Sequence, residues 1–248
     1  MDRIPHDEVK FHPHSFADAD GRLFWWQGEL YRGLGAEWAT LFRRLLQQGI
    51  IQKLIDKGLL VETEPTALTM DGYEMVVRHR LLPFVSYPEE WCPAMLKDAA
   101  LALTELLTEL AKVGLTLKDS HPWNVLFDQG RPVYVDLTSI TSIKDPGVWP
   151  GYDEFCRFYL HPLILMAHRQ DRIARRLLPE FGGVSKSNLV RLAPGAVLSK
   201  SLSSFMSRLR SLLQQEVLQV GHRWFSFGSK RKPNGQNSTL LVLLKRTR

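Results

Sequence analysis

The hydrophobic positions of the first eighty residues change their spacing, which separates predicted strands from predicted helices. The stretch GRLFWWQGELYRGL has aromatic-rich runs on both sides of Gln27-Gly28, which is typical of a β-hairpin with a tight turn. From Ala36 the apolar residues recur at helical spacing until Gly49, and a second short helix is expected to end at Gly58. The runs LLVETE and YEMVVRHRLL then predict two more strands.

The rest of the chain is predicted to be mainly helical, with one further hairpin. An apolar stripe from Met95 to Val113 predicts a long helix that ends at Gly114, and the run VLFDQGRPVYVD predicts a hairpin with its turn near Gln129-Gly130. Further helices are expected over 152–168, 171–178 and 201–219. This order predicts an α+β fold with two lobes, a small strand-rich N-terminal lobe and a mainly helical C-terminal lobe.

Composition and charge exclude several protein classes and divide the chain. Of the 248 residues, 44% are hydrophobic and 23% charged, as in ordinary globular domains, and no apolar run approaches the length of a membrane-spanning helix. The polar N-terminus and the two distant cysteines predict a cytoplasmic protein without disulfides. Residues 185–248 contain 12 Lys and Arg but one acid, which indicates either a surface for an anionic partner or a solvated linker. We therefore expect a loosely structured lead-in at 1–20, the main domain at 21–184 and a basic helical or linker tail at 185–248.

One segment, KDSHPWNVLFDQGRPVYVD, contains the residue types that phosphoryl transfer requires. A carboxylate can accept the proton of an attacking hydroxyl, and carboxylate and amide oxygens bind Mg²⁺ around phosphates. Asp119 suits the first role, and Asn124 and Asp136 suit the second, because the intervening hairpin would return Asp136 beside Asn124. Since Asp and Asn are also common in turns, an ordinary turn followed by a hairpin is the alternative interpretation.

The same segment resembles the catalytic region of the protein-kinase-like superfamily. D-S-H-P-W-N-V-L-F followed by G-R-P-V-Y-V-D is similar to the aminoglycoside and choline phosphotransferase branch, whose loop typically reads H-G-D-x-H-P-x-N. The resemblance covers roughly residues 20–180. It implies Asp119 as catalytic base, Asn124 and Asp136 as Mg²⁺ ligands, and ATP as the phosphate donor.

The N-terminal part departs from that family, so its nucleotide contacts are assigned by the order of the elements. It contains no G-x-G-x-x-G loop and no V-A-I-K strand. Arg32 is the best substitute for the phosphate-binding lysine, with a solvated strand arginine as the alternative. The strand YEMVVRHRLL would correspond to the linker between the lobes, which places His79 and Leu81 near the nucleotide.

A second resemblance is to the N-terminal half of bacterial nodulation-type SAM-dependent methyltransferases. It rests on the segments LIDKGLLVETE, PFVSYPEEWCPAMLKDAAL and LKDSHPWNV. After residue 183 the sequence has no G-x-G-x-G strand, turn and helix, so the resemblance implies the kinase-like module without methyl transfer.

Three functions follow from these patterns. The first is a Mg-ATP-dependent phosphotransferase that acts on a hydroxyl of a small molecule or glycan. The second is a catalytically inactive kinase-like module that supports a carbohydrate-modifying or methyltransferase pathway. The third is nucleic-acid binding through the basic tail, which would be recognised by its dependence on salt.

Overall fold

The chain consists of two compact units, Met1–Phe84 (unit 1) and Val85–Arg248 (unit 2). The computed structural model describes residues 2–15, 21–145 and 148–194. Unit 1 is rich in strands, and the described part of unit 2 is mainly helical. The predicted α+β class is confirmed, and the strand-rich unit precedes the helical unit along the chain, as the sequence predicted.

Unit 1 is a five-stranded antiparallel sheet with two helices inserted between its third and fourth strands. The strands follow the order β1-β2-β3-β5-β4 across the sheet. The strands are β1 (Lys10–Phe11), β2 (Gly21–Trp26), β3 (Glu29–Leu34), β4 (Thr63–Pro65) and β5 (Met75–His79), and the helices are α1 (Ala36–Gln47) and α2 (Ile50–Asp56). All four strands and both helices that the sequence predicted here are present.

The hairpin of β2 and β3 has the turn that its sequence predicts. Gln27 and Gly28 both have positive φ, 50° and 81°, which is the backbone of a type I′ turn. This turn sets the pairing of Trp26 with Glu29 and of Gly21 with Leu34 at the two ends of the ladder. Its twist matches that of the flanking strands, so the register of β3 is fixed locally.

The first residues of the chain are more ordered than a loose lead-in. Ile4 is 1% exposed and belongs to the hydrophobic cluster that contains Phe24 and Met70. Its backbone N–H donates to the carbonyl of Thr69 at 2.8 Å. The two-residue strand β1 then pairs with β2. A buried isoleucine and strand pairing therefore attach this segment to the sheet.

Unit 2 is built around one long helix, α3, with two small two-stranded sheets beside it. The described helices are α3 (Pro93–Ala111), α4 (Tyr152–Phe155), α5 (His161–Ala167), α6 (Asp171–Leu177) and α7 (Lys186–Leu192), with the π-helical segment Cys156–Leu160 between α4 and α5. The strands are β6 (Leu115–Leu117), β7 (Val125–Asp128), β8 (Arg131–Tyr134) and β9 (Ile140–Ser142). Most of the predicted apolar stripe of α3 is buried, including Leu96, Leu103 and Leu110, while Met95 near its start is partly buried.

Two antiparallel pairs in unit 2 bring distant segments together. β7 and β8 form the predicted hairpin, with Gln129 at φ 48° and Gly130 at φ 80° in another type I′ turn. β6 pairs with β9, and Lys118 continues that ladder by donating its N–H to the carbonyl of Ser139 at 2.8 Å. The segment after β6 is therefore held against the segment after β8.

The basic tail lies largely outside the described residues. The helix predicted over 201–219 and the linker-like run GSKRKPNGQNS fall beyond residue 194 and are not described. Within the described ranges, no helix is both long and apolar enough to cross a bilayer.

Candidate functional site

The loop that joins β6 to β7 holds Asp119 and Asn124 in direct contact. The amide Nδ2 of Asn124 donates a hydrogen bond to Oδ1 of Asp119 at 2.6 Å. The backbone N–H of His121 also donates to the Asp119 carboxylate. A short 3₁₀ turn, Pro122–Asn124, closes the loop, because the Asn124 N–H donates to the His121 carbonyl at 3.0 Å. Residues five apart in the sequence thus meet through their side chains.

The hairpin of β7 and β8 returns Asp136 to this loop. The N–H of Val135 donates to the carbonyl of Asn124 at 2.9 Å, so Asp136 follows directly after the residue that pairs with Asn124. One carboxylate oxygen of Asp136 accepts the hydroxyl hydrogen of Thr138 at 2.8 Å. Asp136 is close enough to Asp119 to raise the pKa of that residue. Three residues predicted to form one site are therefore neighbours in unit 2.

The environment of Asp119 raises its pKa from 3.8 to about 6. Burial is the largest cause, because a desolvated carboxylate is less stable than the neutral acid. The negative charges of Asp136 and Glu154 raise the pKa further, while the hydrogen bonds from Asn124 and from the His121 backbone lower it. A carboxylate with a pKa near 6 is suited to accept a proton at neutral pH.

A second layer of contacts fixes the back of the loop to the start of α4. The N–H of Ser120 donates to Oε2 of Glu154 at 2.6 Å, and the Ser120 hydroxyl donates to the Gly151 carbonyl at 2.7 Å. Ser120 is completely buried. These contacts hold the residue next to Asp119 from two sides. Sequence reasoning missed Ser120 and Glu154, because the partners lie more than thirty residues apart and no local pattern marks them.

Gly151 allows the close approach of α4 to the loop. A Cβ at this position would lie 3.1 Å from the carbonyl carbon of Asp119 and 3.0 Å from the indole nitrogen of Trp149. Both distances are tighter than ordinary packing contacts, and the first is to backbone. A side chain at 151 would therefore push against the loop that carries the candidate base.

Replacing Glu154 by glutamine is expected to lower the pKa of Asp119. The amide oxygen of the introduced glutamine can still accept the Ser120 N–H, but the negative charge that raises the Asp119 pKa is lost. Carbon-detected NMR titration of the aspartate carboxyl groups would measure the shift. Asp153→Asn is the matched control, because Asp153 is the neighbouring acid on α4 and its side chain is 77% exposed. An unchanged Asp119 midpoint in Glu154→Gln would contradict the electrostatic role of Glu154.

Arg32 and His79, the predicted nucleotide contacts of unit 1, lie on adjacent strands and share one face of the sheet. His79 pairs with Leu30, which lies two residues before Arg32 on β3, so the side chains of His79 and Arg32 lie on the same face of the sheet. Arg32 is 3% exposed, so the alternative of a solvated strand arginine is wrong. Leu81 lies just after β5 and is 40% exposed. Their contact with a nucleotide stays a prediction.

His79 is held neutral inside unit 1. Burial, together with the positive charge of Arg32, lowers its pKa to about 3. Its Nδ1 is 2.8 Å from the hydroxyl of Thr63, while its Nε2 finds no hydrogen-bond partner within the described ranges. The side chain of His79 therefore contributes a neutral, buried ring at physiological pH.

The donor set of unit 2 fits a magnesium ion that is shared with phosphate oxygens. The amide nitrogen of Asn124 donates to Asp119, so its amide oxygen remains available as a ligand atom, and Asp136 supplies a carboxylate. No three His, Cys, Asp or Glu side chains cluster as a metal site in the part of the chain that the structure describes. Mg²⁺ does not need such a cage, because it is usually bound by one or two carboxylates together with water and substrate phosphates.

Comparison with known sequences supports a link to nodulation proteins. No family model matches the chain. The Nodulation protein NoeA of Rhizobium meliloti is 34% identical over 156 residues, which cover 61% of this chain and 32% of that protein. The chain thus spans about a third of the length of this curated relative. The similarity agrees with the nodulation-type resemblance of the sequence.

Comparison with solved structures finds protein kinase domains. A singly substituted variant of the Mycobacterium tuberculosis PknI kinase domain gives a TM-score of 0.41 at 14% identity, covering 86% of this chain and 88% of that one. A doubly substituted variant of the same domain gives 0.43 at 14% identity, with 92% and 91% covered.

Proposed function

We propose that this protein is a Mg-ATP-dependent phosphotransferase that acts on a hydroxyl group of a small molecule or glycan. The observation that carries the proposal is the contact of Asp119 with Asn124 beside Asp136, in a place where the pKa of Asp119 is about 6. Asp119 would orient the acceptor hydroxyl and take its proton. Asn124 and Asp136 would hold Mg²⁺, which neutralises charge on the transferred phosphoryl group when bound. Arg32 is proposed to contact the phosphates, and His79 and Leu81 to lie near the base.

The surroundings of the loop suit this role because they hold Asp119 in one orientation. Its carboxylate accepts two hydrogen bonds from its own loop, and Ser120 is anchored by Glu154 and Gly151. A base that is already oriented needs less reorganisation when the acceptor arrives.

The second candidate is a kinase-like module that binds a partner but does not catalyse phosphoryl transfer. It is favoured by unit 1, where the sequence has no G-x-G-x-x-G and Arg32 is almost fully buried. A pathway that modifies carbohydrates or transfers methyl groups is the proposed context, from the resemblance of the sequence to nodulation-type methyltransferases.

Calorimetric titration with ATP, with and without Mg²⁺, tests the proposal. We expect Mg²⁺-dependent binding to the wild type and none to Asp136→Ala, while Asp128→Ala, on the same hairpin, binds as the wild type does. Asp119→Asn should keep ATP binding but lose turnover with hydroxyl acceptors, and wild-type turnover should rise with pH around 6. A folded wild type that binds no ATP would exclude the phosphotransferase. ATP binding that is equal with and without Mg²⁺, without turnover, would favour the second candidate.

A further inference from the structure

Two exposed aromatic rings stand beside the loop that carries Asp119. Trp123 belongs to that loop, one residue before Asn124, and is 46% exposed. Tyr87 is 49% exposed, and its ring centroid lies 6.5 Å from that of Trp123 in an edge-on arrangement. Together they form a small aromatic surface, the aromatic platform, on unit 2. Neither ring is needed to fill the core, since each keeps about half of its surface in water.

Trp123 is held in place although it is half exposed. The ring centroid of His121 lies 5.5 Å from that of Trp123, with an angle of 85° between the ring planes, and the backbone N–H of Trp123 donates to Nδ1 of His121 at 3.3 Å. His121 itself packs on Phe158, with ring centroids 4.3 Å apart. The edge-on geometry is a favourable one for aromatic pairs. The orientation of the indole is therefore set before any ligand binds.

Tyr87 is held by the short segment that leads into α3. Its backbone N–H donates to the carboxylate of Glu90 at 2.6 Å, which fixes the 3₁₀ turn Pro88–Glu90. The following Trp91 is fully buried and donates its indole N–H to the Ser86 hydroxyl at 3.0 Å. The tyrosine thus projects from an anchored turn, so little conformational freedom remains to be lost on binding.

Rigid, half-exposed Trp and Tyr side chains are the usual anchors of binding surfaces. A ligand that fits here needs a flat apolar face for the rings and a hydroxyl for Asp119, and it should carry no negative charge because Asp119, Asp136 and Glu154 lie together. The chair of a neutral pyranose sugar has both an apolar face of C–H groups and hydroxyls around its edge.

We propose that Trp123 and Tyr87 form the platform on which a neutral pyranose ring of the acceptor stacks. The proposal assigns an acceptor class and two specificity-determining residues. As an assignment of the acceptor it rests on the proposed function, but binding of the sugar does not require ATP.

Saturation-transfer NMR with maltose, cellobiose and lactose, without nucleotide, tests the proposal. At least one disaccharide is expected to bind, with Trp123→Ala weakening it about tenfold and Trp123→Phe recovering part of the loss. Ribitol, an open-chain polyol without a ring face, is expected not to bind. Phe181→Ala is the matched control, since Phe181 is a fully exposed aromatic residue of the same unit. The indole N–H resonance of Trp123 is identified by its absence from the spectrum of Trp123→Phe. This resonance is expected to shift when sugar is added to the wild type.

Several outcomes would overturn the platform. Absence of binding by all three disaccharides, or equal losses in Trp123→Ala and Phe181→Ala, would do so. A shift of the Trp123 resonance by adenosine but by no sugar would show a nucleobase site instead. If ATP and Mg²⁺ bind while sugars do not, only the platform fails. If sugars bind and ATP does not, the phosphotransferase fails and the sugar site stands.

Discussion

Asp119→Asn is expected to make the protein more stable at pH 7.5 by about 2 to 3 kcal/mol, because each unit of pKa shift corresponds to about 1.4 kcal/mol. The folded protein raises the pKa of Asp119 from 3.8 to about 6, so the ionised carboxylate is less favourable in the fold than in the unfolded chain. Asparagine has no charge to desolvate, and its amide oxygen can still accept from Asn124 and from the His121 backbone.

The stabilisation by Asp119→Asn is expected to depend on pH. Below pH 3.8 Asp119 is protonated in both states, and the wild type has no penalty. As the pH rises from 3.8 to about 6, the unfolded chain loses this proton while the folded carboxyl still holds it, so the wild type loses stability relative to the variant, and the loss levels off above pH 6. Urea unfolding should therefore show a difference in the free energy of unfolding between Asp119→Asn and the wild type that is large at pH 7.5 and small at pH 4. Asp98→Asn, on the exposed face of α3, is the control. A variant that is less stable than the wild type at pH 7.5 would contradict the raised pKa.

Trp91→Ala is expected to destabilise the protein by about 3 to 5 kcal/mol, the usual cost of removing a fully buried aromatic side chain. Trp91 is 0% exposed, packs edge-on against Phe127 of β7 at 5.1 Å and donates to Ser86. The change would leave a cavity beside the hairpin and an unpaired hydroxyl within it.

Trp123→Ala is the matched variant, because it removes the same type of side chain from an exposed position of the same unit. Both residues are tryptophans of unit 2, but Trp123 is 46% exposed, so its removal should cost less than about 1 kcal/mol. Urea unfolding followed by circular dichroism would measure both variants under one condition. Equal losses would mean that Trp123 is a structural residue, which would also weaken its role in the platform.

The local parts of the fold were predictable from the sequence because they depend on short-range patterns. The turns at Gln27-Gly28 and Gln129-Gly130 need two successive residues with positive φ, and Gly is the residue that adopts it most easily. The meeting of Asp119, Asn124 and Asp136 followed from a five-residue loop and a short hairpin, both of which are also local. The residue types, their spacing and the geometry of a hairpin were enough to predict that these three residues lie close together.

The long-range contacts were not predictable in the same way. Glu154 accepts from Ser120 across 34 residues, and a carboxylate at a helix start looks the same whether or not it has such a partner. The order of the N-terminal segment depends on the packing of Ile4, Val9 and Phe11 into the hydrophobic cluster of the sheet, and no local pattern in this mostly polar stretch predicts that packing. The predicted helix over 152–168 is present but contains a π-helical segment before Pro162, which lacks an N–H for the regular ladder.

The position of Asp136 relative to Asn124 depends on the number of residues in the β7–β8 hairpin. Because side chains alternate between the two faces of a strand, one residue inserted into either strand would turn Asp136 away from Asn124 while leaving every side chain of the site chemically intact. The two-residue turn at Gln129 and Gly130 sets this register, because it places Asp128 opposite Arg131 at the start of the ladder. A change in the length of this turn is therefore also expected to displace Asp136, and a deletion scan through the turn and the strands would separate the requirement for spacing from the requirement for side chains.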